Sequence, residues 1–166
     1  MTFEEAKDKF IHTWGTLATQ WGINRSMAQL HALLLISPDP LATEDVMEQL
    51  QISRGNASMN LRDLMDWGLI YKHLKPGERR EFFIAEKDIW KVARQVAKER
   101  RRREITPVVD VLNELKSIPA DTPEAQEFQR VMTGLSSVVG FADNTLNAVI
   151  KAEENWLMGQ FLKVFR

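Results

Sequence analysis

The sequence predicts a mainly helical chain with a single two-stranded hairpin near its middle. Three observations carry this. Apolar residues recur at spacings of three and four over most of the 166 residues. Helix-capping residues stand at the start of nearly every such stretch. The one β-like region, 69–86, has two short part-apolar runs either side of "PGER".

The first helix begins at Thr2, with Glu5 three residues later as the second half of a capping box. It carries Phe3, Ala6, Phe10, Trp14, Leu17 and Trp21 on one narrow seam, and Gly22 ends it. Asn24 caps a second helix, "RSMAQLHALLLI", which is apolar on most sides and therefore predicted to be central; Ser37-Pro38 stops it. Thr43 is predicted to cap a third helix, with Glu44 and Asp45 complementing its dipole. Val46, Met47 and Leu50 turn inward. A tight connection then leads to Ser53, the predicted cap of the fourth helix.

Two strands follow, predicted at 69–75 and 80–86, with Pro and Gly placed for a turn between them. The remainder is helical. Ile89, Val92, Ala93, Val96 and Ala97 form one stripe; Ile105, Val108, Val109, Leu112 and Leu115 form another. At about 100° per residue the two stripes lie on different sides. The "KERRRRE" run between them reads as a connector, with Pro107 kinking or restarting the helix. Thr122 and Pro123 open a long helix with Phe128, Val131, Leu135, Val138, Ala142, Leu146 and Val149 on one seam. A last amphipathic piece carries Trp156, Leu157, Phe161, Val164 and Phe165.

Composition narrows the function. No cysteine is present, which excludes disulfides and thiolate metal sites. The N-terminus lacks an apolar signal core, and no apolar run approaches bilayer length, so a cytoplasmic location is expected, with no membrane partner. Net charge is −1, yet residues 87–103 hold eight Lys/Arg against two acids, a balance of +6. From Glu104 onward five Lys/Arg face nine Asp/Glu. His12, His31 and His73 lack metal-ligand spacing, and His31 on a buried helix reads as a satisfied core histidine. No phosphate loop, nucleophile elbow or acid/base pair is found, so neither an enzyme nor a cofactor is expected.

The order helix, helix, tight turn, helix, strand, turn, strand is that of a winged helix-turn-helix. On its fourth helix Ala57, Leu61 and Leu64 fall on one side, and Gly55, Ser58, Met59 and Arg62 roughly opposite. That outward face is low and rich in donors, as a DNA major groove requires: Arg pairs bidentately with guanine and Asn with adenine. The hairpin gathers Lys72, Lys75, Arg79 and Arg80, with Glu78 as the nearest opposing charge. Wings of this kind touch phosphates or the minor groove. The same geometry also serves protein–protein contacts, so an interaction module without DNA binding stays open on pattern alone.

The segments "WGINRSMAQ", "ISRGNASMNLR" and "KPGERRE" together resemble the DNA-binding region of MarR-type regulators, most closely the GbsR-like branch. The resemblance covers residues 14 to about 104. It implies a homodimeric transcription regulator, a repressor, whose affinity for a palindromic double-stranded DNA operator is modulated by a small-molecule effector, choline or a related quaternary ammonium. Ser53, Arg54, Gly55, Asn56, Ser58 and Arg62 become the recognition-helix residues, and Lys72, Lys75, Arg79 and Arg80 the wing residues. Residues 1–22 are expected to supply an N-terminal helix to the dimerisation lobe, 23–87 the winged helix, and 88–166 the connector and the C-terminal helices of that lobe. Phe10, Trp14 and Trp21 are the candidate effector cage, since Trp attracts cations. Aromatic residues at helical spacing more commonly form a core or a dimer seam. Likewise, the arginine run reads more readily as a solvated helix face than as a phosphate contact.

Overall fold

The computed structural model describes residues 1–151; the apolar piece expected at 156–165 lies outside them. Two compact units are present, Met1–Val92 and a second that begins at Ala93. Among the described residues no helix is long and apolar enough to cross a membrane.

The first unit is built around α2 (Arg25–Ile36), of which Met27, Ala28, Leu30, His31, Ala32, Leu33 and Leu34 are buried. The Asn24 side chain accepts from the Met27 amide at 3.2 Å and starts the helix. Its C-terminal end is closed from a distant part of the chain. The Lys87 ammonium donates to the carbonyls of Leu34, Leu35 and Ser37 at 2.8, 2.8 and 2.7 Å. Those carbonyls have no helical partner of their own, and burial lowers the pKa of the lysine that serves them.

Helix α1 (Phe3–Gln20) starts with the predicted capping box, Glu5 N to Thr2 Oγ1 at 3.2 Å and Thr2 N to Glu5 Oε2 at 2.7 Å. Its packing face differs from the aromatic seam. Ile11, Gly15 and Ala18 are buried, while Phe3, Trp14, Leu17 and Trp21 are exposed. The reason is steric. At Gly15 an added Cβ would lie 2.6 Å from Gln29 Cγ, so α2 approaches closer than any aromatic ring allows.

A short strand, β1 (Leu41–Ala42), was not expected. It pairs antiparallel with β3 (Phe82–Ala85), which also pairs with β2 (Ile70–His73), giving sheet order β1-β3-β2. Two residues are too few to show the period-2 alternation of a strand. The hairpin strands are shorter than predicted because Leu74 and Arg80 lie in the turn region. Helix α3 (Thr43–Leu50) is capped at Ala42 rather than Thr43; Asp45 Oδ2 accepts the Ala42 amide at 2.8 Å. It closes on Gln51, whose φ of 53° is left-handed without being glycine. Helix α4 (Arg54–Asp66) follows directly.

The second unit contains most of α5 (Ile89–Arg100), α6 (Thr106–Leu115) and α7 (Pro123–Lys151). A π-helical turn, Arg101–Ile105, joins α5 to α6. Pro107 explains it: proline has no amide hydrogen, and its ring crowds the carbonyl four residues back, so the chain takes a wider turn. The Thr106 amide and hydroxyl both reach the Arg101 carbonyl. The arginines are paired within this unit: Arg100 with Glu104 at 3.3 Å, Arg101 with Asp143 at 2.7 Å, and Arg102 and Arg103 with Glu99 at 2.7 and 3.6 Å. Thr122 caps α7 through the Ala125 amide at 3.2 Å. No described residue of α7 is buried, and its seam residues Phe128, Val131, Leu135, Val138 and Val149 are exposed.

His31 is buried as predicted, but its Nε2 has no hydrogen-bond partner among the described residues. Burial, aided by the Lys87 charge, lowers its pKa to about 4. The unfolded chain therefore takes up this proton first, near pH 6.5, and stability falls as pH drops from there to about 4. The loss approaches ~3 kcal/mol. Chemical denaturation across this window checks it: His31→Leu flattens the dependence, and an unchanged slope refutes the assignment.

Candidate nucleic-acid interface

Helix α4 is set by its buried side. Ala57, Leu61 and Leu64 are at most 2% exposed, and α4 packs on α2 and α3. The Ser53 hydroxyl accepts the Asn56 amide at 3.3 Å and fixes the start of the helix. The opposite face then presents Arg54, Gly55, Ser58, Met59 and Arg62 to solvent. A Cβ at Gly55 would meet nothing, so this end of the helix is open. The amides of the first turn and the helix dipole give it positive potential.

The structure refines the individual side chains. Arg62 makes no ion pair among the described residues. Arg54 does: its Nη2 lies 2.8 Å from Glu44 Oε1 on α3. The Glu44 carboxyl sits below its usual pKa because a backbone hydrogen bond and then the Arg54 hydrogen bond favour its charge. Asn56 is half-buried, and both its backbone and side-chain carbonyls accept from the Asn60 amide. Bidentate adenine pairing needs that same side-chain oxygen, so Asn56 is not the free reader its position suggested. Asn60 itself is 1% exposed, and sequence reasoning passed over it. Its spacing of three and four from Ala57 and Leu64 was the available signal.

At the wing, Lys75-Pro76-Gly77-Glu78 closes with Glu78 N to Lys75 O at 3.1 Å and Gly77 at φ 82°. This is the backbone of a type II turn, in which only glycine sits easily at the third position. Phe82 is buried beneath two cations, with Lys75 Nζ 4.1 Å and the Arg80 guanidinium 5.2 Å from its ring centroid. Arg80 also pairs with Glu78 at 3.4 Å, which raises its pKa. Lys72 pairs with Glu81, an acid the sequence reading did not weigh. Arg79 makes no ion pair among the described residues. Leu74, 90% exposed, stands beside the turn.

A MarR family model matches residues 21–81, the span from the end of α1 to the wing. Over this span the chain is similar to the MarR family. The chain is also similar to the HTH-type transcriptional repressor GbsR of Bacillus subtilis strain 168, at 26% identity over 114 residues. The match takes in 69% of this chain and 63% of that repressor's length. A solved structure described as a transcriptional regulator superposes with a TM-score of 0.56 at 19% identity, over 86% of this chain and 98% of the other, which supports the fold. A mutant of S. aureus MepR bound to an oligodeoxyribonucleotide superposes more loosely, with a TM-score of 0.42 at 19% identity over 82% and 94%.

The base of the wing is tied by Glu86. Its carboxylate accepts from Tyr71 Oη at 3.2 Å and the Asp88 amide at 3.1 Å, and pairs with Lys91 at 2.5 Å. Lys91 first, then the Asp88 amide, hold its pKa down to about 2. Of the candidate cage, Phe10 and Trp14 meet with ring centroids 5.6 Å apart. Trp21 is the C-cap of α1, about 10 Å further along the axis.

Proposed function

We propose that this protein is a DNA-binding transcriptional repressor that reads its operator with α4 and braces the complex with its wing. The observation that carries this reading is the outer face of α4: small residues, an Arg62 with no ion pair among the described residues and an open N-terminal turn, flanked by a basic hairpin. In this reading Arg62 and Arg54 contact base edges, Ser58 contributes a hydroxyl, and exposed Met59 packs against a thymine methyl. Gly55 and the Ser53-capped turn meet a phosphate. Lys75, Arg79 and Arg80 follow the backbone. The name of the B. subtilis relative supports repression.

Arg62→Ala is expected to weaken binding to the selected operator by about 1–3 kcal/mol and to relax base choice at one position. Arg79→Ala weakens all duplexes alike and lowers the salt slope by about one. Fluorescence anisotropy across a salt series measures both. Absence of salt-dependent binding to upstream DNA of its own operon removes the reading.

The protein acts as a two-fold homodimer, which gives a palindromic operator with half-sites about 34–36 Å apart or a multiple of that. The exposed seams of α1 and α7 support self-association, because apolar stripes of this length seldom face water. Leu135→Asp together with Val138→Asp is expected to yield monomers in sedimentation velocity; an unchanged oligomer removes α7 from the interface.

A small-molecule effector lowers operator affinity by favouring a conformation less suited to DNA. A quaternary ammonium is the first class to test, on the Phe10–Trp14 pair and Trp21. Millimolar choline or betaine then shifts tryptophan fluorescence and releases operator DNA. No response in either measurement rules this class out.

A further inference from the structure

We propose that Glu44 is a specificity-determining residue: by holding Arg54 it keeps this cation from serving loose phosphate contacts and reserves it for a base edge. The proposal rests on the DNA-binding reading above. Glu44 stands in the first turn of α3 and Arg54 opens α4, so their 2.8 Å contact bridges the two helices of the helix-turn-helix. Both side chains remain about half exposed or more, at 45% and 67%. The contact is therefore open to competition by a ligand rather than locked inside the fold. Arg80 of the wing acts on Glu44 electrostatically, and Asp45 and Glu44 act on Arg80. Two carboxylates thus stand among the cations of the surface assigned to DNA.

On affinity alone this arrangement is counterproductive, since a carboxylate opposes the phosphate backbone. Its value lies in the exchange it imposes. A single phosphate that draws Arg54 away replaces one charge-assisted hydrogen bond with another and leaves Glu44 unpaired beside the negative backbone. A guanine edge accepts two hydrogen bonds in the plane of the guanidinium. Arginine has five donors, and Glu44 engages one nitrogen. The base can be read while the ion pair still fixes the guanidinium plane. Glu44 consequently penalises random DNA and spares the correct site.

The test uses the full chain and two duplexes of equal length, one selected by the wild-type protein from random sequence and one unrelated. Binding is measured by anisotropy across a salt series for wild type, Glu44→Gln, Arg54→Gln and the double variant. Glu44→Gln is expected to bind the unrelated duplex about five- to tenfold tighter at low salt, with a salt slope steeper by about one. Its affinity for the selected duplex stays within about twofold, so selectivity drops by the same five- to tenfold. In the Arg54→Gln background the Glu44 substitution changes selectivity by less than about twofold, because the residue it acts through is gone and what remains is a charge acting alike on both duplexes. Equal affinities for wild type and Glu44→Gln on both duplexes overturn the proposal. So does an effect of the same size with and without Arg54, which would make Glu44 a generic surface charge. If the wild-type chain binds neither duplex, the DNA-binding reading itself fails, a result distinct from both.

Discussion

A helix whose side chains are apolar on most sides has little face to give to water. That is the condition of α2, and the first unit is arranged around meeting it. Each neighbour covers one side: α1 by the close approach at Gly15, α4 by Ala57, Leu61 and Leu64, the sheet through β3. Its exposed carbonyl end is met by Lys87, two residues past the last strand of the hairpin. The orientation of α4 follows from this. With its apolar side committed to α2, its polar side has only one direction left.

Charge is the second organising theme, and it runs against the raw count. The densest basic stretch, 87–103, offers little free positive field. Lys87 is spent inside the fold, Lys91 sits on Glu86, and Arg100 to Arg103 are matched by Glu99, Glu104 and Asp143. The cations without ion pairs among the described residues include Arg62 and Arg79, which belong to a region of modest net charge. Clustering in sequence and availability in space are separate properties, because ion pairs three and four apart on a helix cancel locally.

Much of the fold was legible because its signals are local. The caps at Thr2, Asn24, Ser53 and Thr122 are each a side-chain oxygen reaching an amide a few residues on. The division of α4 into Ala57, Leu61, Leu64 and an outer face followed from helical periodicity alone. What escaped depends on partners distant in sequence or on shape. Ala42 replaces Thr43 as cap because Leu41 and Ala42 are drawn into pairing with Phe83 and Phe82, some forty residues away. The aromatic seam of α1 lost the α2 contact to smaller residues because contact depends on how near two backbones can come, as well as on hydrophobicity. At the candidate interface the reading picked out the solvent-facing side of α4 but treated its residues as independent. Asn56 and Arg54 each have a partner, Asn60 and Glu44, that no motif announces.

The wide turn before α6 carries a further meaning. A phase estimate that advances the chain by a constant angle per residue assumes α-helix throughout, and Arg101–Ile105 breaks that assumption. Which side of α6 faces α7 is therefore settled by where the broadening occurs as well as by the spacing of its valines and leucines. Pro107 is the residue that forces it. One imino acid thereby acts as the angular setting between two consecutive helices, much as a shim fixes the rotation of one shaft against the next, and the apolar pattern downstream is written for that setting and no other.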